Sequence, residues 1–268
     1  MTEQHSDIKV IDEFGREAGH IPARHRAIYL LPNAFTTAAL FAGFFAIVKA
    51  MSHEFNIAAV SIFCAMVLDG MDGRVARLTK TQSAFGEQYD SLADMVSFGV
   101  APALVVYEWQ LHGLGTGRLG LIVAFIYTVC AALRLARFNI NTDVIDKRYF
   151  QGLPSPSAAA LTAGMVWLVE EKDLPIPAEA IPYIAIAVTL FAGLSMITNI
   201  RYSSGKAMDV QHSVPFVKLL MFVGIMLCII AWPPFALFGL FVAYALSGYV
   251  LWLWRWSKGE SLKKQRKS

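Results

Sequence analysis

The stretch that decides the fold runs from Leu68 to Asp94 and reads LDGMDGRVARLTKTQSAFGEQYDSLAD. It joins one apolar run to the next and contains four aspartates: Asp69, Asp72, Asp90 and Asp94. The first two are three residues apart and the last two are four apart, so on helices each pair shares a face. Two neighbouring helices can therefore direct all of these carboxylates to one point.

Convergent carboxylates in or near a membrane need compensation for their charge. An Asp at the centre of a membrane helix costs roughly 2.5–3.5 kcal/mol on insertion scales, and like charges that converge add repulsion. Two bound divalent cations remove both penalties, because hard oxygen donors suit Mg2+ or Mn2+. Metal binding is therefore the most economical interpretation of the aspartates.

On both sides of this stretch the chain is strongly apolar. It has 268 residues, of which 56% are hydrophobic and only 16% are charged, a balance that excludes an ordinary soluble domain. About 20 consecutive apolar residues cross a bilayer. The apolar runs lie near 34–50, 56–68, 92–107, 119–133, 157–169, 181–198, 214–231 and 235–254. We therefore predict an all-α polytopic membrane helix bundle with about eight transmembrane helices.

The positions of the basic residues predict the orientation of the bundle. If the N-terminus is inside, most of the 23 Lys and Arg residues fall on inner segments, including the turn that follows Arg77. Cytoplasmic loops carry such an excess, so both termini are expected in the cytoplasm. We expect a cytoplasmic N-terminal arm at 1–27, a membrane-embedded domain at 28–256 and a basic cytoplasmic tail at 257–268.

The polar ends of the chain predict where it resides. The N-terminal arm lacks the apolar core and cleavage site of a secretory signal, so we expect it to stay in the cytosol. The basic cluster Lys263–Lys267 is most simply a topology determinant beside anionic lipid, and no nucleic-acid partner is expected. We expect an integral multi-pass protein of the inner or plasma membrane, with its active site facing the cytoplasm.

Small residues interleave with the aspartates at Gly70, Gly73, Ala76 and Gly86. In a membrane helix such residues usually permit close helix packing. Beside several acids they can instead leave space for a bulky diphosphate. The planar guanidinium of Arg77 can donate hydrogen bonds to the oxygens of that diphosphate. The cysteines and histidines lack metal-ligand spacing and are interpreted as packing and solvated residues.

The full spacing D-x2-D-G-x2-A-R-x8-G-x3-D-x3-D resembles the signature of the CDP-alcohol phosphotransferases. It is met here by Asp69, Asp72, Gly73, Ala76, Arg77, Gly86, Asp90 and Asp94. The resemblance implies a six-helix catalytic core, usually dimeric, that binds two divalent cations and a CDP-linked lipid at the cytoplasmic surface. We therefore expect a homodimer.

The resemblance also implies roles for individual residues. Asp69, Asp72 and Asp90 look like metal ligands, and Asp94 looks like a ligand that is also the general base. Gly73, Arg77 and Ser83 would lie against the CDP moiety. A segment similar to the family's nucleotide-contacting segment, Pro32–Thr36, adds Asn33 and Thr36.

Further similarities point to the phosphatidylserine synthase branch of this family. They lie in SAFGEQYDSLADMVSFGVAPA (Ser83–Ala103), RLARFN (Arg134–Asn139), GLPSP (Gly152–Pro156) and TNIRY (Thr198–Tyr202). Thr198 departs from the Ser expected in that branch. The implied reaction transfers the phosphatidyl group of CDP-diacylglycerol to L-serine and releases CMP.

A serine site should offer an Arg to the substrate carboxylate, and Arg134 and Arg137 are the candidates. Their three-residue spacing puts both on roughly one helical face. The alternative is that they are positive-inside anchors or bind lipid headgroups.

Two other functions stay open at this point. The same chemistry could use glycerol phosphate or inositol phosphate as the acceptor, although those substrates call for extra basic residues near the metals. A divalent-cation channel or transporter could also use intramembrane acids. The aspartates cluster beside one turn instead of spacing themselves across the membrane, which favours a catalytic site at the surface.

Overall fold

The computed structural model describes residues 23–79, 81, 83–114, 118–140, 149–171, 174–203 and 216–258. Its α-helices are α1 (Ala23–Met51), α2 (Phe55–Thr79), α3 (Ala84–Asp94), α4 (Ala101–Val106), α5 (Arg118–Ile140), α6 (Ser155–Glu171), α7 (Ile181–Ile197), α8 (Phe216–Ala231) and α9 (Pro233–Ser257). Two π-helical segments, Met95–Val100 and Tyr107–Leu111, and a 3-10 turn, Ala178–Ala180, complete the helical elements described. Residues 1–22 and 259–268, most of the expected arm and tail, lie outside the described residues.

The all-α membrane bundle predicted from the apolar runs is confirmed. Within the described residues, six stretches are long and apolar enough to cross a membrane: Pro32–Met51, Phe55–Thr79, Ala84–Leu111, Arg118–Ile140, Ala178–Ile197 and Pro233–Trp254. All eight predicted runs lie largely on helices, but α6 and α8 have only 17 and 16 residues. The count of eight spans and the cytoplasmic position of both termini stay predictions.

The third span is one continuous helical stretch in which α3 and α4 are joined by the π-helical segment Met95–Val100. Such wide turns often occur at functional sites, and this one begins directly after Asp94. The span packs closely on α1, because a Cβ on Gly43 would lie 2.6 Å from the Ser97 hydroxyl. Ser97 Oγ in turn donates to the carbonyl of Ala39 at 3.1 Å. Gly43 therefore brings the third span against α1.

The core of the bundle is built from small and medium side chains, and α6 runs through it. Ala158, Ala159 and Val166 on α6 are fully buried. Tyr127 on α5 is also fully buried, and its hydroxyl donates to the carbonyl of Phe98 at 3.1 Å. Most described side chains of α8 are exposed and apolar instead, as expected of a helix whose surroundings are lipid.

A short antiparallel sheet caps the aspartate end of the bundle. It pairs β1 (Tyr149–Gln151) with β2 (Arg201–Ser203), so that Phe150 faces Tyr202. The Tyr202 hydroxyl donates to the carbonyl of Ala245 at 3.1 Å, and burial raises the pKa of Tyr202 above its ordinary value. The sheet is thus attached to α9 by a tyrosine that stays neutral.

After β1 the chain turns sharply into α6 at Gly152. This residue has a φ of 76°, in the left-handed region that favours glycine. A Cβ at this position would lie 2.1 Å from the carbonyl oxygen of Met196. The turn therefore requires Gly152, and it sets the start of α6 beside the end of α5.

Candidate active site

Three of the predicted aspartates converge between α2 and α3. The carboxylates of Asp69, Asp72 and Asp90 each offer an oxygen, and these oxygens all lie within 4.8 Å of one another. Asp72 is buried, with 6% of its surface exposed, while Asp69 and Asp90 are half-buried. The spacing in the sequence thus brings carboxylates from two helices to one point.

Asp94 lies one turn beyond Asp90, beside this group of three. Its carboxyl interacts electrostatically with the carboxyls of Asp69 and Asp90. Neighbouring carboxylates repel each other unless a proton or a cation neutralises them. Asp94 therefore belongs to the same site but lies outside the close group of three carboxylates.

The described donors fit a hard divalent cation. Three carboxylates offer oxygen atoms within the span of one ion or a close pair of ions, and oxygen donors suit Mg2+ and Mn2+. The glycines beside them leave space as well, because a Cβ on Gly70 or Gly73 would meet nothing within 4 Å. A metal can accordingly be held by Asp69, Asp72 and Asp90, next to the open space beside the two glycines.

The helix that carries Asp90 begins at a well-formed cap. Ser83 is extended and its Oγ accepts a hydrogen bond from the backbone N–H of Gly86 at 3.0 Å. This arrangement satisfies one of the unpaired donors at the start of a helix. The cap, seven residues before Asp90, fixes where α3 starts.

A cavity of about 120 Å³ opens beside the aspartates. Four of the five predicted nucleotide-binding residues line it: Asn33, Thr36, Gly73 and Ser83. The other lining residues are Pro32, Asp72, Ala76, Thr81, Gly86, Glu87 and Asp90. The segment Pro32–Thr36, which lies within α1, and the aspartate motif therefore share one cavity.

Arg77, the fifth predicted nucleotide-binding residue, does not line this cavity as the described residues define it. Its side chain is exposed, and its Nε donates to the carbonyl of Gly73 at 2.8 Å. Sequence reasoning missed Thr81 and Glu87, which do line the cavity. Glu87 stands three residues before Asp90, and this helical spacing was the signal that could have identified it.

The two predicted serine-binding arginines lie in different surroundings. Arg134 is buried, interacts electrostatically with Asp94 and Asp69, and donates from Nη1 to the Ser155 hydroxyl at 2.6 Å. The guanidinium of Arg134 is therefore hydrogen-bonded to the start of α6 and lies within electrostatic reach of the aspartates.

Arg137 instead holds the connections around the short sheet. Its Nη2 donates to the carbonyls of Gln151 at 2.8 Å and Thr198 at 3.2 Å. Its Nη1 donates to Asn199 Oδ1 at 3.2 Å. These contacts give Arg137 a structural role, in which it joins α5 to β1 and to the residues just before β2.

The six apolar spans among the described residues are those of an integral multi-pass membrane protein, and its carboxylate cluster lies at one end of the bundle. A family model described as CDP-alcohol phosphatidyltransferase matches residues 29–194, which include the four aspartates and the cavity. The chain therefore belongs to the CDP-alcohol phosphatidyltransferase family. Members of this family generally depend on divalent metal ions.

Several relatives of this chain share one name, CDP-diacylglycerol–serine O-phosphatidyltransferase. The Helicobacter pylori protein is 37% identical over 227 residues, which cover 84% of this chain and 92% of the relative. The Methanocaldococcus jannaschii protein is 34% identical over 192 residues, 72% of this chain and 82% of the relative. The Mycobacterium leprae protein is 40% identical over 154 residues, 55% of this chain and 50% of the relative.

Proposed function

We propose that this protein transfers the phosphatidyl group of CDP-diacylglycerol to the hydroxyl of L-serine, giving phosphatidylserine and CMP. The observation that carries the proposal is the group of Asp69, Asp72 and Asp90, whose carboxylate oxygens lie within 4.8 Å of one another beside the cavity. The relatives named for the same reaction support the choice of serine.

The cavity suits the nucleotide end of the lipid substrate. Asn33, Thr36, Gly73 and Ser83 are proposed to contact the CDP moiety from the cavity wall. The open space above Gly73 leaves room for a diphosphate next to the aspartates. Arg77 is exposed one turn along α2, and we propose that it reaches the phosphate oxygens once substrate replaces its contact with Gly73.

Two divalent cations, Mg2+ or Mn2+, held by Asp69, Asp72, Asp90 and Asp94, would stabilise the charge that develops on the leaving phosphate. The serine oxygen attacks the phosphorus that bears the lipid, and the bond from that phosphorus to the bridging oxygen breaks so that CMP departs. A neutral hydroxyl is a poor nucleophile, so a carboxylate must take its proton during attack. We assign that role to Asp94, which lies beside the group of three rather than within it.

Arg134 is the better supported of the two serine-binding candidates. Its guanidinium interacts with Asp94 and Asp69, so a serine carboxylate bound there would hold the hydroxyl near the proposed base. Arg137 already donates to backbone carbonyls around the sheet. We therefore propose that Arg137 contributes to serine binding indirectly, by holding the backbone around the proposed serine site in place.

We also propose that the protein is a homodimer in the inner or plasma membrane, with both termini and the site facing the cytoplasm. The arm at 1–27, the membrane domain at 28–256 and the basic tail at 257–268 remain the proposed division of the chain. The excess of Lys and Arg on the inner segments supports this orientation.

An acceptor assay with the purified protein tests the reaction. The protein is supplied with CDP-diacylglycerol and Mn2+ or Mg2+, and serine, glycerol phosphate and inositol phosphate are compared as acceptors. We expect CMP and phosphatidylserine with serine, and loss of both products when the cation is chelated. Release of CMP with glycerol phosphate but not with serine would contradict the proposal.

A further inference from the structure

Two consecutive threonines on α1 contact the two different elements that carry the aspartates. Thr36 meets α2 at Asp72, and Thr37 meets α3 at Tyr89. Adjacent residues of an α-helix point about 100° apart, because one turn takes about 3.6 residues. One helix can therefore contact two neighbours with successive side chains.

The Thr36 hydroxyl is committed to a carboxylate of the site. Its Oγ1 donates to Asp72 Oδ2 at 2.8 Å, a shorter contact than the 3.2 Å to the carbonyl of Pro32. Both side chains are buried, with 4% of Thr36 and 6% of Asp72 exposed. A hydroxyl has a single hydrogen, so Thr36 cannot donate to a nucleotide at the same time.

The direction of the second contact follows from the same count of hydrogens. Thr37 Oγ1 donates to the carbonyl of Asn33 at 2.7 Å and lies 2.9 Å from the Tyr89 hydroxyl. Since the hydrogen of Thr37 is used at Asn33, Tyr89 must be the donor in the longer contact. Tyr89 also stacks on Phe85, with ring centroids 6.0 Å apart, and it immediately precedes Asp90.

We infer that Thr36 and Thr37 are positioning residues: together they hold α2 and α3 at the separation that lets Asp72 and Asp90 share a metal. Thr36 acts through the carboxylate of Asp72, whereas Thr37 acts through Tyr89 on the backbone that carries Asp90. This inference rests on the proposed metal site. It assigns to Thr36 a contribution to metal binding that is separate from its place in the cavity wall.

Direct Mn2+ binding to the purified protein, followed by electron paramagnetic resonance without substrate, tests the first half. Loss of a hydrogen bond to a ligating carboxylate typically weakens metal binding about 10- to 100-fold. We therefore expect T36V to lose Mn2+ affinity by about that factor and T36S, which keeps the hydroxyl, to restore it. If T36V does not fold, as judged by size-exclusion chromatography, T36A carries the same prediction.

The control is T128V on α5. Thr128 donates to the carbonyl of Ala124 within its own helix at 3.0 Å, and its replacement should leave Mn2+ binding unchanged. Wild-type binding by T36V, or failure of T36S to recover it, would overturn the inference while leaving the metal site intact. Absence of Mn2+ binding in the wild-type protein would overturn the proposed metal site and the inference with it.

The second half is tested by a double-mutant cycle on Thr37 and Tyr89. A net hydrogen bond contributes about 0.5–1.5 kcal/mol, so T37V and Y89F should each weaken Mn2+ binding, measured by electron paramagnetic resonance as above, about 2- to 12-fold. The double variant should lose less than the two single effects combined, because both substitutions remove the contact that Thr37 and Tyr89 share, while T37V alone also removes the bond to Asn33. Additive effects of the two substitutions would show that Tyr89 and Thr37 act separately.

Discussion

Replacement of Asp94 by Asn tests the proposed division of labour among the four aspartates. The substitution keeps the size of the side chain but removes its capacity to accept a proton. Because Asp69, Asp72 and Asp90 remain within 4.8 Å of one another, the group of three survives in this variant. We therefore expect D94N to bind Mn2+ and CDP-diacylglycerol with affinities much closer to wild type than its turnover.

The size of the effect follows from the proposed role. General base catalysis contributes about 10²- to 10⁴-fold to a rate, which corresponds to about 3–5 kcal/mol of activation free energy. D94N should lower kcat by that factor, measured as CMP release at saturating serine and metal. D90N removes one member of the close group, so it should lose Mn2+ affinity as well as turnover.

The matched control is E108Q on the same span. Glu108 lies in the π-helical segment Tyr107–Leu111, at the end of the span opposite to Asp90 and Asp94, and E108Q should turn over normally. Activity of D94N within tenfold of wild type would refute the assignment of the base. A loss of Mn2+ binding in D94N as large as in D90N would instead show that Asp94 acts mainly as a metal ligand.

Three further predictions concern the surroundings of the site. G152A should lower the free energy of unfolding by more than about 2 kcal/mol, because the left-handed backbone and the carbonyl of Met196 exclude a Cβ. Thermal unfolding in detergent measures this change, and unchanged stability would contradict the prediction. R134A should raise the KM for serine more than the KM for CDP-diacylglycerol, and equal effects in steady-state kinetics would defeat its role with serine. G73L should raise the KM for CDP-diacylglycerol without lowering thermal stability, since a Cβ there meets open space; a variant with normal KM would place the nucleotide elsewhere.

Much of the architecture follows from local properties of the chain. The apolar runs are long because a bilayer is about 30 Å thick, so hydropathy alone located the helices. The spacing of Asp69 with Asp72, and of Asp90 with Asp94, indicated which faces carry acids, because helical periodicity is a property of neighbouring residues. The Ser83 cap is local in the same sense, since its partner is Gly86.

Contacts between distant segments could not be predicted in this way. Thr36 is 36 residues from Asp72, and Arg137 is 61 residues from Thr198. The sequence shows that such side chains are polar, but it does not indicate which helix packs beside them or at what angle. The family resemblance implies that Thr36 contacts the nucleotide, which stays a prediction, but only the tertiary structure shows that its hydroxyl donates to Asp72.

The sequence by itself determined that the protein is a membrane helix bundle with four acids on two helical faces, because periodicity and hydropathy act over a few residues. Only the tertiary structure decided that Asp69, Asp72 and Asp90 form the close group while Asp94 stands beside it. The rotation and separation of two packed helices decide which carboxylates meet, and these depend on side chains far apart in the chain.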